Sequence, residues 1–151
     1  MGVTRFGAYT THLNIDHRYV SSLPANWNFE TGAAFVVQGL TAYYGLFELG
    51  ALQQGDTVLI HSAAGGVGTL ANRLAKKMDD YTIGTVGSSE KVAYCKKEGY
   101  DEVIVRSGDF GVQLEKARNG RPLHLIMECI GGAVLKAGYD QLSPRGRSIV
   151  Y

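Results

Sequence analysis

The sequence predicts an α/β fold built on a doubly wound parallel sheet, and three observations predict it. From Thr57 onward, apolar runs of strand length alternate with longer helix-like stretches, which is the pattern of βαβ units. Two of the runs, "TVLIHSA" and "LHLIMECIG", are nearly all apolar, as strands covered by helices on both faces must be. The first of them passes directly into a cluster of alanines and glycines and then into a helix with a polar side, "GVGTLANRLAKKM".

The elements follow in order. Residues 1–24, which include "FGAYTTHLNIDHRYVSSLP", alternate weakly and end at Pro24; the next stretch, "NFETGAAFVVQGLTAYYGLFELGAL", reads as one or two helices. Five strands are then expected in "TVLIHSA", "YTIGTVG", "DEVIVR", "LHLIMECIG" and "GRSIVY". The four stretches between them, "GVGTLANRLAKKM", "SSEKVAYCKKEG", "FGVQLEKARNG" and "AVLKAGYDQLS", are the crossover helices. Gly99, Gly120 and Gly146 fall just past helical stretches, where a residue able to take positive φ is favoured, and Pro144 follows the last helix as a stop. The expected strand order is 3-2-1-4-5.

Composition narrows the function. The chain has 151 residues, 45% hydrophobic and 19% charged, with a formal net charge of +1, which suits a folded domain rather than a disordered segment. A near-neutral balance offers no electrostatic footprint for nucleic acid or an anionic membrane. Cys95 and Cys129 stand far apart without CxxC spacing, so neither a disulfide framework nor a zinc site is expected from this chain. No apolar run reaches the ~18 residues of a membrane span and no signal peptide opens the sequence; "MGVTRF" has Phe6 where a myristoylation motif wants a hydroxyl residue. A cytoplasmic location and a small-molecule partner are the expectations.

A strand, a glycine turn and a helix start together form a phosphate cradle, because the amides at a helix N-terminus are unpaired and carry the positive end of the macrodipole. Reading GxGxxG onto "AAGGVG" puts Ala63, Gly65 and Gly68 at its three positions, with alanine in place of the first glycine. The plainer reading is that Gly65, Gly66 and Gly68 only permit a tight turn and close packing; the strand before and the βαβ unit after favour a Rossmann-type dinucleotide site. About 20 residues on, an NAD site usually offers Asp or Glu to the ribose. Here "TIGTVGSSEK" has no acid at Thr85, Val86 or Gly87 and instead carries Ser88, Ser89 and Lys91, two hydroxyls and a cation suited to the 2′-phosphate of NADP(H). Against this stands an ordinary helix cap with a solvated lysine. A methyltransferase, the rival use of such a turn, would want the missing acid.

"GLTAYYGLFELGALQQGDTVLIHSAAGGVG", with "IGTVGSSEK", "GYDEVI" and "ECIGG", resembles the zinc-independent quinone oxidoreductase branch of the medium-chain dehydrogenase/reductase superfamily. Enoyl reductase domains of polyketide synthases are similar in the same stretches. The resemblance implies NADPH as cofactor, with Gly66 and Val67 in the pyrophosphate turn and Gly87, Ser88, Ser89 and Lys91 around the 2′-phosphate. It places Tyr44 and Cys129 on the nicotinamide side and Arg106 near the adenosine end. The implied reaction is hydride transfer, without a metal, to a quinone or an α,β-unsaturated carbonyl. Packing roles for Tyr43, Tyr44 and Cys129 and a solvated Arg106 stay open, His61 reads as a hydrogen-bonded structural residue, and His12, His17 and His124 form no constellation.

The resemblance also implies an organisation. Residues 1–24 are expected to be a remnant of a preceding catalytic, GroES-like domain and residues 25–151 the NADP(H)-binding domain, with the sheet truncated before its sixth strand. The catalytic residues are then not in this chain. Three functions compete: an NADPH-dependent quinone or enone reductase, an enoyl reductase domain of a polyketide or fatty-acid synthase, and a binding module without turnover. A homodimer and an exposed apolar surface around "FVVQGLTAYYGLF" are further expectations.

Overall fold

The apolar runs become five strands: β1 (Thr57–Ile60), β2 (Tyr81–Val86), β3 (Glu102–Val105), β4 (Leu123–Glu128) and β5 (Leu142–Val150). All pair in parallel, in the order β3-β2-β1-β4-β5, so the expected order is observed. The helices are α1 (Phe29–Tyr43), α2 (Gly66–Lys76), α3 (Val92–Lys97), α4 (Phe110–Arg118) and α5 (Gly132–Tyr139). The computed structural model covers residues 1–151 and resolves into two compact units, Met1–Leu40 and Thr41–Tyr151. No helix is long and apolar enough to cross a membrane.

Residue alternation along the strands explains the layering. Val58, Ile60 and Val86 face α2 and α3, where Ala71, Ala75 and Cys95 meet them. Leu59, Ile83 and Ile104 face the opposite side and pack against Phe110 and Leu114 of α4, with Ala137 of α5 beside them. In β4, Leu123 and Ile126 join this cluster, and the pairing with β5 shifts register between Leu123 and Leu125, with the extra residues in β5. Each fully buried Leu or Ile contributes about 1.5–3 kcal/mol relative to exposure.

α1 continues without a break into a π-helical segment, Tyr44–Leu49. Its Gly45 lies against β4: a Cβ there would stand 2.4 Å from Met127 Cε. In the first unit, an antiparallel bridge joins Gly2 to Val20, Asp16 caps the short helix His17–Tyr19, and the rings of Trp27 and Phe35 meet edge to face at 4.7 Å. The weakly alternating stretch "FGAYTTHLNIDHRYVSSLP" is, apart from that bridge and the short helix, irregular chain.

Gly99 (φ +89°) and Gly120 (φ +77°) end α3 and α4 in the left-handed region, as their positions predict. The expectation for Pro144 and Gly146 needs correction. α5 stops at Tyr139, and both residues lie inside β5, which begins at Leu142. Here it is Arg145 that takes positive φ (+68°). A proline is tolerated because β5 is an edge strand.

At the N-terminal end of the sheet, buried Asp80 accepts from the Asp56 amide at 3.0 Å through one carboxylate oxygen, while the other has no partner. Burial pushes its pKa up to about 6, the backbone donors at Asp56 and Gly55 oppose, and the Asp56 charge adds to the rise. A carboxyl whose folded pKa exceeds its unfolded value favours the folded state as pH falls from about 6 to about 4. Asp80→Asn is therefore expected to stabilise the fold at pH 7 by on the order of 1–2 kcal/mol, with the difference vanishing near pH 4. Urea denaturation across that range checks it, and a pH-independent difference would contradict it.

Candidate cofactor-binding site

Ala63 to Gly68 form one compact turn at the C-terminal end of β1, where the helices that follow the neighbouring strands β1 and β4 leave on opposite faces of the sheet. In a doubly wound fold that divergence opens a ligand crevice. The Ala63 amide donates to the Thr85 carbonyl at 2.9 Å and the Gly65 amide to the Ser62 carbonyl at 2.8 Å. Gly65 caps α2 in extended conformation, and no side chain satisfies the first amides of the helix. Gly65 and Gly66 are exposed and Val67 half-buried; with the Gly65 amide committed to Ser62, those of Gly66 and Val67 are left as a ready anion site.

Close approach explains the third glycine. A Cβ on Gly68 would stand 2.6 Å from the Ser62 carbonyl oxygen and 2.9 Å from Ala63 Cα, both backbone atoms that cannot step aside cheaply. Alanine is accommodated at the first position because β2 carries Gly84 beside it: a Cβ on Gly84 would come within 2.8 Å of the Ala63 Cβ. Ser62 takes positive φ (+50°) to enter the turn, a strained conformation for a side-chain-bearing residue.

At the end of β2, Gly87 leaves the backbone open. The space where its Cβ would sit is 3.4 Å from Arg106 Nη2, and Arg106 is anchored by donating from Nη1 to Thr85 Oγ1 at 2.9 Å. Gly87, half-buried Ser88 and Arg106 are thus brought together. Ser89 and Lys91 lie on the short helix Ser89–Lys91 that follows, both exposed. At the other side of the turn, exposed Cys129 donates to Ser62 Oγ at 3.3 Å. Tyr44 opens the π-helical segment, exposed, with its ring 6.1 Å from that of Tyr43.

Sequence reasoning missed a polar row behind this turn. His61, Thr85, Arg106 and Glu128 each extend the alternation of Leu59, Ile83, Ile104 and Ile126, so all four lie on one face at the strand ends. Arg106 Nη1 donates to Thr85 Oγ1, and that hydroxyl is 2.8 Å from His61 Nδ1. Thr85 Oγ1 has a second lone pair and one proton left for His61 Nδ1, so the two groups bond in either tautomer of the ring. Nε2 is 3.3 Å from Glu128 Oε2, yet too poorly aligned for a hydrogen bond. Glu128 Oε1 accepts from the amides of Ile130 (2.5 Å) and Gly131 (2.9 Å) and so fixes the β4–α5 turn that carries Cys129. Burial lowers the His61 pKa to about 4, against the opposing charge of Glu128 and reinforced by Arg106. His61 is therefore a neutral, hydrogen-bonded structural residue, as expected. The signal available was Glu128 itself, a carboxylate closing an apolar strand.

Residues 66–151 match the family described as "Zinc-binding dehydrogenase". A highly-reducing polyketide synthase of Aureobasidium melanogenum is 37% identical over 147 residues, which is 95% of this chain and 7% of that protein. Among solved structures, the CurK enoyl reductase superposes with a TM-score of 0.83 at 29% identity, covering 90% of this chain and 41% of that one. A mycobacterial protein solved with NADPH gives 0.81 at 28%, over 88% and 42%, and a quinone oxidoreductase of Pseudomonas syringae 0.80 at 31%, over 89% and 42%. The chain thus spans a small part of the curated relative and under half of these solved ones. No three of its His, Cys, Asp or Glu side chains converge in a way that could hold a metal ion, so its own residues do not fit the zinc of the family's description.

Two outcomes are expected from this geometry. The His61 ring, followed by NMR, titrates near pH 4; Arg106→Ala raises that value because a cation is removed. A histidine whose folded pKa lies below its unfolded one costs stability as pH falls from about 6.5 to 4, opposite in sign to Asp80. Gly68→Ala should lower stability by about 1–3 kcal/mol, measured by urea denaturation. By sequence match and fold together, the chain belongs to the zinc-binding dehydrogenase family, within the medium-chain dehydrogenase/reductase superfamily.

Proposed function

We propose that this chain is the NADPH-binding part of an oxidoreductase that reduces an activated carbon–carbon double bond or a quinone. The observation that carries the reading is the glycine turn opening onto the uncapped start of α2, with Arg106 beside Gly87 at the neighbouring strand end. The two places are one strand apart, and one suits a pyrophosphate while the other suits a 2′-phosphate.

The roles divide by chemistry. The amides of Gly66, Val67 and Gly68 hold the pyrophosphate, with Ala63 and Gly65 setting the turn beneath them. Ser88, Ser89 and Lys91, with the free nitrogen of Arg106, hold the 2′-phosphate, and Gly87 lets the backbone approach it. Tyr44 and Cys129 line the nicotinamide end. Bound there, NADPH supplies the hydride for reduction of an electron-poor carbon. The protein contributes orientation: Glu128 holds the turn bearing Cys129, and neutral His61 fills the space behind it without adding charge near the nicotinamide. No residue of this chain is assigned proton transfer to the substrate, and the reading requires no metal.

Similarity to a polyketide synthase across nearly the whole chain and to a solved enoyl reductase favours an enoyl thioester as the substrate. The likeness to a quinone oxidoreductase supports a quinone as the second choice. Both are conjugated acceptors, so the site proposed here serves either.

Calorimetric titration tests the cofactor. NADPH should bind more tightly than NADH, and Lys91→Ala or Arg106→Ala should weaken NADPH by roughly tenfold while leaving NADH little changed, as for loss of one charge-assisted hydrogen bond. Absence of binding by the folded chain would overturn the reading. For the substrate, enzyme containing this chain should oxidise NADPH faster with crotonyl thioester than with benzoquinone.

A further inference from the structure

Tyr100 lies outside every group assigned above, yet it reaches the pyrophosphate turn from beneath. It follows Gly99, whose positive φ (+89°) ends α3 and turns the chain back under the sheet end. Its side chain is 3% exposed. The hydroxyl donates to the Gly68 carbonyl at 2.8 Å, with the Ala63 carbonyl at 3.4 Å, so one buried phenol touches both ends of the turn.

The room for it is built in. A Cβ on Gly84 would stand 2.9 Å from the Tyr100 ring and 2.8 Å from Ala63 Cβ, so the missing side chain in β2 admits the ring and the alanine together. A tyrosine in an apolar site normally finds a partner for its hydroxyl; here both acceptors belong to the glycine turn. Burial also pushes the Tyr100 pKa upward, which keeps the phenol a donor. Tyr94 of α3 adds a neighbouring tie, its hydroxyl 3.3 Å from Thr69 Oγ1 in the first turn of α2.

We propose that Tyr100 is a positioning residue for the dinucleotide: its hydroxyl clamps the Ala63–Gly68 turn and holds the amides at the start of α2 where a pyrophosphate meets them. The inference rests on the NADPH reading. It concerns the pyrophosphate alone, because the Tyr100 hydroxyl bonds to the turn and to none of Ser88, Ser89, Lys91 or Arg106.

That restriction makes the test selective. Wild type, Tyr100→Phe and Gly84→Ala are titrated with NADPH, NADH and 2′-AMP, the last having the adenosine end without a pyrophosphate. Tyr100→Phe should weaken NADPH and NADH by the same factor, roughly threefold to tenfold as for one neutral hydrogen bond, and leave 2′-AMP unchanged. Gly84→Ala keeps the hydroxyl but displaces the ring, and should also weaken both dinucleotides; it serves where Tyr100→Phe does not fold. Unchanged dinucleotide affinity in both folded variants, or a parallel loss of 2′-AMP, would overturn this proposal alone. Failure of the wild type to bind either dinucleotide would overturn the cofactor reading and this proposal with it.

Discussion

At Gly68 the first turn of α2 lies so close to the end of β1 that a methyl group there would stand 2.6 Å from the Ser62 carbonyl oxygen. Much of the sheet's upper end depends on this approach. Because α2 begins so near the strand, its unpaired amides sit at the mouth of the crevice and not on a loop above it. Because the turn is tight, Ser62 is driven to positive φ and Ala63 is pressed down onto Gly84 of the next strand. Residues in sequence-distant strands are therefore constrained together: a side chain at position 84 would displace Ala63, and a side chain at position 68 would push the helix away. Close packing leaves no soft direction in which such a misfit could relax.

The polar row at the strand ends has a different logic. His61, Thr85 and Glu128 are almost wholly buried, and burying such groups costs free energy unless they satisfy one another. The arrangement meets this condition except at the misaligned His61–Glu128 contact, with Arg106 at one end and the amides of Ile130 and Gly131 at the other. Holding His61 neutral avoids a buried cation beside half-buried Arg106. The row also spans four adjacent strands, so the ends that form the crevice are joined by side chains as well as by the backbone ladder. Coupling of that kind suits a site whose two halves must stay in register with one extended ligand.

The two ends of the sheet respond to acid with opposite signs. Asp80 at the N-terminal end gains a proton on folding, and His61 at the C-terminal end loses one. Between about pH 4 and pH 6 their contributions offset, so the intact chain masks two strong local perturbations.

Much of the architecture was legible in the residues alone. Apolar runs separated by amphipathic stretches determine five parallel strands and four crossover helices, since a strand without polar residues must be covered on both faces; the glycine cluster between Ile60 and Leu70 determines where the tight turn into α2 lies. Local signals failed where a residue's meaning depended on its neighbours in space. Pro144 and Gly146 read as a helix end but belong to β5, because an edge strand tolerates what a helix does not. Tyr100 and Thr85 carried no local pattern, since a phenol or a hydroxyl acquires a role only from the partner opposite it. The sequence by itself determined which kind of fold forms and where its candidate site lies; tertiary structure decided which side chains hold that place in shape, because hydrogen bonds and excluded volume act between strands that are remote along the chain.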